Sequence, residues 1–433
     1  MRITRRGLLA GTASLMIARR ALASDVDVLV VGAGAAGLAA AKTLRAAGRT
    51  VTVVEARSRI GGRAHTDSSL GASFDAGAHY VHWSERNPWR KIADELGIRL
   101  NEDDDGGGLR VYRDGVVMSE AERRRRRSAN GQIERLVQAA GAMDYSFADA
   151  VRGKPPEMAD AAGGITLFAL GEDPERVSLH DYDQLWSGDD YIPAGGYGAL
   201  VARYGADVPV QLDTPVTHLY WGDGRVAADT PRGTVRAQAA IVTVPVGVLQ
   251  AGGIRFTPEL PAEIQEALEG LHMGALTKIA LRVDRERFGK IDVTDLVDVQ
   301  QGGPVTSFEL WPDDEDLVLA YIGGDHAREL CRAGESAATD FAVNRLASML
   351  GARARDAVTG GRLAGWWSDP YAMGSYSIVK PGYVLAREGL RLPIGDRLWL
   401  AGEATAGGGA MTVGGATLEG ERAANELMVR LGA

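Results

Sequence analysis

Cysteine is almost missing from this chain: Cys331 is the only one in 433 residues. One thiol cannot close an internal disulfide, so stability must come from packed cores, and this length can hold two domains. The plainest role for Cys331 is that of a small buried hydrophobe. The body of the chain also lacks an apolar run long enough to span a bilayer, so stable membrane insertion is not expected. Positive charge is in deficit, with 48 Lys and Arg against 57 Asp and Glu and a formal charge of −9. An acidic surface repels nucleic acid and anionic lipid and attracts small cations. Nucleic acid is therefore not an expected partner, and no metal site is expected either.

The first residues break the pattern. Met1 to Ala23 reads MRITRRGLLAGTASLMIARRALA, with Arg5-Arg6 before a short apolar run and Ala21-Leu22-Ala23 as a small-residue cleavage site. This is the form of a secretory signal of the twin-arginine type, cleaved near Ala23. The run is too short to span a membrane, and an uncleaved signal anchor is the alternative. Periplasmic or secreted localisation follows. Removing its five arginines takes the formal charge from −9 to −14. Twin-arginine export carries folded proteins, which suits a protein that loads a cofactor before export.

What the chain does have is glycine in a particular place. Asp27 to Arg63 reads DVLVVGAGAAGLAAAKTLRAAGRTVTVVEARSRIGGR. An apolar β-branched run enters a Gly-x-Gly-x-x-Gly turn, an alanine-rich helix follows, and a second strand ends on Glu55. Gly32 permits the tight turn, Gly34 lets a pyrophosphate approach the backbone, and Gly37 lets helix and strand pack closely. The helix N-terminus then faces the phosphates, and Glu55 can accept from a ribose hydroxyl. Alone, a Gly-x-Gly-x-x-Gly is weak; with strand, helix and acid in order it specifies a dinucleotide site.

Ala56 to Arg63 (ARSRIGGR) continues that site with two more glycines and three arginines. A nicotinamide enzyme has no need of this second turn, whereas a long, permanently bound cofactor does. The stretch resembles the start of the FAD-dependent amine oxidase family, which includes monoamine oxidases, polyamine oxidases and flavin histone demethylases. Further blocks carry the same resemblance. They are Phe74 to His82 (FDAGAHYVH), Trp366 to Ser377 (WWSDPYAMGSYS) and Arg397 to Arg422 (RLWLAGEATAGGGAMTVGGATLEGER). The Gly374-Ser375-Tyr376-Ser377 run is that of polyamine oxidases and demethylases. Monoamine oxidases carry a flavin-linked cysteine at the Ser375 position, so the resemblance implies non-covalent FAD.

The resemblance implies an α/β protein, α+β overall. A Rossmann-like FAD-binding domain (25–84, 195–285 and 390–433) accompanies a discontinuous substrate domain of mixed sheet and helices (85–194 and 286–389). It implies cofactor contacts at Gly32, Gly34, Ala36, Gly37, Glu55, Ala56, Arg57, Gly62, Arg63, Gly77, Ala78, Val216, Trp367, Gly402, Glu403, Thr412 and Val413. Lys278 falls where the family has a lysine that holds a water against flavin N5, and a lysine on an apolar strand is expensive to bury without such a reason. His82 falls on the polyamine-oxidase histidine. Tyr376 falls on one wall of an aromatic cage. Many relatives place Tyr or Trp where Thr412 stands, so the second wall is open, with Tyr80 or Trp311 available to fill it. His79, Tyr80, Thr412, Trp311 and Asp190 complete the expected pocket, Asp190 as a holder of a distal ammonium.

Two stretches outside these blocks invite other readings. Arg123 to Arg127 lies on a helical pattern from Glu120 to Ala140, which an exposed helix face in an acidic protein explains best. Gly153 to Gly164 is Pro/Gly/Ala-rich and expected to be a loop. The implied activity is FAD-dependent oxidation of an amine C–N bond, with dioxygen or a periplasmic electron acceptor taking the electrons. A polyamine or other primary or secondary amine is the substrate, and a homodimer is compatible. The alternatives are an L-amino-acid oxidase, an amine dehydrogenase, and a flavin-binding redox partner without catalysis of its own.

Overall fold

Val26–Val31, all but its first two residues buried, is the centre of the larger sheet. It pairs in parallel with Val51–Val54 on one side and Gly233–Val242 on the other. β-Branched residues buried on both faces are what a parallel strand between helices requires. The computed structural model describes residues 26–103, 108–141, 143–300 and 303–432, so the expected signal at 1–23 lies outside the described residues. Beyond Gly233–Val242 the sheet continues through Val226–Thr230, His218–Tyr220 and Arg255–Thr257. Beyond Val51–Val54 it ends on Val210–Gln211, and Leu398–Leu400 joins Gly233–Val242 in parallel. The glycine turn, the middle of the chain and the C-terminal block thus meet in one sheet.

Helices Ala35–Ala46 and Val413–Arg430 cover one face. They approach so closely that a Cβ on Gly420 would lie 2.0 Å from the Ala36 carbonyl oxygen. Leu38, Leu44, Trp399 and Leu427 form the buried core between helices and sheet.

The second sheet has the order Val358–Ala364, Thr277–Val283, Leu317–Ile322, Val305–Leu310, Asp295–Val299, Leu109–Arg113, Val116–Val117. It is antiparallel except where Asp295–Val299 meets Leu109–Arg113. Ile279, Phe308 and Ala320 pack from it onto helix Glu335–Leu350 through Ala338, Ala342 and Leu346. Thr277–Val283, expected on the dinucleotide side of a boundary at 285, is a member of this second sheet. By sheet membership the crossing falls before Thr277, because the strand's partners are Leu317–Ile322 and Val358–Ala364.

A helical cluster, Glu120–Ala140, Phe147–Val151, Pro156–Ala169 and Leu179–Gln184, forms a third core around Ile133, Phe147 and Leu179. Ser119 and Glu122 form a capping box at the start of Glu120–Ala140. Glu120 pairs with Arg123, Arg124 and Arg127, so most of the arginine run is a solvated helix face. The loop expected over Gly153 to Gly164 is instead largely helix from Pro156. Proline is tolerated in a first helical turn, and burial of Met158, Ala161 and Ala162 outweighs the low propensity of Gly163 and Gly164.

Candidate active site

The glycine turn has the geometry its spacing demands. Gly32 carries a φ of +103°, where an L side chain is strained. A Cβ on Gly37 would lie 1.9 Å from the Gly32 carbonyl oxygen. Gly34 differs: the nearest atom to its missing Cβ is the Gly62 Cα at 3.9 Å, which leaves a cleft between two backbones. That cleft opens on the N-terminus of helix Ala35–Ala46, which has no side-chain cap and no acid in its first turn. Such an end suits a pyrophosphate. The buried Glu55 accepts from the Ala33 N–H at 2.7 Å and the Arg57 N–H at 2.9 Å. It therefore braces the turn itself, and each oxygen retains a second lone pair for a ribose.

The arginines that follow do different things. Arg57 forms two bonds to Asp369, at 2.7 and 2.6 Å, beside the rings of Trp366 and Tyr371. Its charge is committed to the protein, so it positions the loop after Ala56. Arg63 donates to the Ser375 carbonyl at 2.8 Å and to Glu403 at 3.0 Å, joining the first glycine block to two remote segments. Gly77 passes so close to Arg63 that a Cβ would lie 1.7 Å from its carbonyl oxygen, to which the Ala78 N–H also donates. Gly402 has no atom within 4 Å of its missing Cβ. Val216 is buried in the sheet core on the other face.

Glu403 is the hub at the other end. Its carboxylate receives Arg63, the Ser377 N–H at 3.1 Å, the Ser377 hydroxyl at 2.7 Å and the Met411 N–H at 3.2 Å. Ser377 in turn accepts from Arg387, which is bound to Asp181 at 2.8 and 2.9 Å. Thr412 serves as the N-cap of helix Val413–Arg430, accepting from the Gly415 N–H at 2.9 Å and donating to the Gly409 carbonyl at 2.7 Å. A Tyr or Trp at this position could not make that cap.

Lys278 is buried on strand Thr277–Val283 and donates to the Asp75 carbonyl at 2.8 Å. Burial pushes its ammonium pKa down. The Asp75 carboxylate accepts from Thr66 and from the Tyr197 and Gly198 N–H groups, and meets His79 at 3.1 Å. His82 lies 2.9 Å from Asp190, and both are partly open to solvent. Tyr80 packs between the two histidines, 4.7 Å from His79 and 5.6 Å from His82 by ring centroid, and burial raises its phenol pKa. The Tyr376 hydroxyl donates to the Ala169 carbonyl at 2.7 Å, and burial likewise keeps the phenol neutral.

A sequence profile described as "Flavin containing amine oxidoreductase" matches residues 35–172 and 114–428. The chain belongs to the flavin containing amine oxidoreductase family. It is similar to Polyamine oxidase 2 of Arabidopsis thaliana, 28% identical over 440 residues that cover 94% of this chain and 88% of that protein. It is likewise similar to Polyamine oxidase 4 of Oryza sativa subsp. japonica, 29% identical over 452 residues, with 95% and 90% covered. Wild-type putrescine oxidase bound to putrescine shares the fold, with a TM-score of 0.78 at 20% identity over 94% of this chain and 99% of that one.

This flavin amine oxidoreductase is an enzyme, and FAD is its cofactor. The Gly34 cleft, the uncapped helix end and the Arg63–Glu403 clamp fit that group. Lys278, His79, Tyr80, His82 and Asp190 are brought together through Asp75 and the Tyr80 ring. Trp311, expected in the pocket, contacts Phe288 at 5.1 Å and lies under Arg285 at 4.5 Å, so its ring serves the second core. Trp367 lies under Arg328. Sequence reasoning missed Asp75, Ser377, Arg387 and Asp181. Asp75 had a readable signal, a lone acid between Phe74 and the small residues Ala76-Gly77-Ala78; Arg387 and Asp181 had none, because they meet only across 206 positions.

Proposed function

We propose that this enzyme oxidises the C–N bond of a primary or secondary amine, with polyamines preferred, and passes the electrons to dioxygen with release of hydrogen peroxide. The observation that carries the reading is the buried Lys278 held on the Asp75 carbonyl, which is linked through His79 and the Tyr80 ring to the His82–Asp190 pair. FAD, when bound, supplies the acceptor for a hydride from the carbon beside the substrate nitrogen.

The chain's own groups supply orientation and electrostatics. Lys278 spends one N–H on Asp75 and keeps others to fix a water. Tyr376 is anchored at its hydroxyl, so its ring cannot swing away. A dry aromatic surround disfavours an ammonium and favours the neutral amine that hydride loss requires. Asp190 offers a carboxylate to a distal ammonium. The serine at 375 supports non-covalent FAD, which acid denaturation would then release from the protein.

The amino-acid-oxidase reading needs an arginine free to hold a carboxylate. The buried arginines Arg328 and Arg387 are paired with Glu172 and Asp181, which favours amines. Anaerobic mixing with a panel of polyamines, monoamines and amino acids is the test. Bleaching of the flavin by polyamines is expected; bleaching by amino acids alone would overturn the substrate class. Reduced flavin that persists for minutes in air would instead favour a dehydrogenase using a periplasmic acceptor. Export by the twin-arginine route is part of the same proposal. Cell fractionation should place the mature enzyme outside the cytoplasm, and Arg5→Lys with Arg6→Lys should retain it in the cytoplasm.

A further inference from the structure

A cavity of about 360 Å³ opens where the pair of strands Thr66–Asp67 and Phe74–Asp75 meets strand Val358–Ala364 and the turn Trp366–Ser368. Its volume falls in the range of small-molecule sites. Gly34, Glu55, Gly62, Arg63 and Glu403, which frame the cofactor cleft, do not line it. Phe74, Leu363 and Trp366 give it an apolar wall, and Arg59 and His65 give it a polar one.

Arg59 is the unusual charge here. It is half-buried, and its Nη1 donates to the Ile60 carbonyl at 3.1 Å and the Gly62 carbonyl at 2.9 Å. It forms no ion pair with a described residue. The carboxylates Asp67, Glu335 and Asp369 also border the cavity, but each is held by another guanidinium. Arg57 takes Asp369, and Arg362 takes Asp67 at 3.4 Å and Glu335 at 3.0 Å. Nε and Nη2 of Arg59 therefore keep their N–H donors for another acceptor. Burial, with the charge of Arg57 close by, pulls the Arg59 guanidinium pKa down to about 10, and the carboxylates of Glu55, Asp369 and Asp67 offset only part of that. A desolvated cation in this position lacks a counterion. His65 lies beside it. Burial and the charge of Arg59 lower its pKa, so near neutrality its ring is neutral and donates from one nitrogen.

We infer that this cavity binds a small organic carboxylate, whose oxygens accept from Arg59 and His65 and whose hydrocarbon part lies against Phe74, Leu363 and Trp366. A guanidinium fork matches the two oxygens of a carboxylate, and the anion supplies the counterion that Arg59 lacks. An ammonium would instead face a guanidinium that no carboxylate offsets, so the amine substrate is not the occupant. A free phosphate would fill only the polar wall and leave the aromatic one uncovered.

The test uses the FAD-loaded full chain and 4-bromobenzoate as the probe. Calorimetry is expected to show saturable binding. Crystals of the complex are expected to show the anomalous signal of bromine beside Phe74 and Trp366, with the carboxylate on Arg59. Arg59→Gln is expected to weaken binding at least about tenfold. Because Arg59 also holds the Gly62 carbonyl, retained flavin absorbance and circular dichroism establish that the variant is intact. Should it lose its flavin, His65→Phe removes one donor and keeps a ring, and it is expected to weaken binding about fivefold. Inorganic phosphate is expected not to displace the probe. A bromine signal beside Lys278 in place of this cavity would overturn the assignment. So would binding at crystal concentration only, or a flavin-retaining variant with the affinity of wild type. Displacement by phosphate at equal concentration would overturn the organic character of the ligand.

Discussion

Lys278 shows what one residue can and cannot say. A lysine between apolar neighbours on a strand was suspicious from the sequence, because an ammonium is costly to bury without a partner. The structure names the partner as a main-chain carbonyl, that of Asp75, and not a carboxylate. Lys278 thus keeps a charge or a lone pair that no salt bridge among the described residues consumes. Lys278→Met should leave the fold and flavin spectrum intact, since the methionine fills the same volume without a buried charge. Turnover with the best amine should fall by about a hundredfold or more. Steady-state kinetics on the FAD-loaded variant measure it, and near-wild-type turnover would remove Lys278 from the chemistry. Trp311 teaches the reverse lesson: an aromatic near a pocket motif looked available, yet Phe288 and Arg285 claim it.

At the scale of elements, helix ends decide the cofactor site. Helix Ala35–Ala46 begins without a side-chain cap, whereas helix Val413–Arg430 begins on Thr412, whose hydroxyl both accepts and donates. The missing aromatic at 412 is thereby explained by the backbone it serves. Thr412→Val keeps the shape and removes the cap; it should cost about 1 kcal/mol, seen as a lower urea midpoint, with Thr412→Ser close to wild type. If Val at 412 instead changes amine preference and leaves stability alone, Thr412 is a pocket wall and the cap is incidental. Pro156–Ala169 shows why local composition misled: its glycines lower propensity, but a neighbouring helix and a buried alanine face hold it.

At the scale of the whole molecule, buried charge clusters join distant segments. Glu172 is fully buried and accepts from His272 at 2.9 Å, from Arg176 at 2.9 Å and from Arg328 at 3.0 Å. Burial raises its carboxyl, but the bonds from His272 and Arg328 and their charges outweigh burial and hold its pKa far below the usual glutamate value. A folded-state pKa below the unfolded one stabilises fully above about pH 4.3 and loses that contribution as pH falls toward the folded value. Glu172→Gln should cost about 3 kcal/mol near neutrality. Its deficit relative to wild type should shrink as the pH drops below about 4; equal urea midpoints at neutral pH would show the cluster to be energetically idle. The net charge of −9 acts over a longer range. Raising the salt should lower kcat/KM for a polyamine more than for a monoamine, because screening weakens the attraction of an acidic surface for a polycation.

The sequence by itself determined the dinucleotide half. The roles of Gly32, Gly34 and Gly37 follow from local stereochemistry, and their order along the chain is their order in space. The family resemblance, not local stereochemistry, pointed to Lys278, Tyr376 and Glu403. Only the tertiary structure decided who touches whom at long range: Arg57 on Asp369, Arg387 on Asp181, Lys278 on the Asp75 carbonyl. These pairs span up to 312 positions, and no periodicity or composition carries information across that distance. His79 belongs to the same class. The sequence marked it as one of two pocket histidines, and only packing left one of its nitrogens without a partner among the described residues.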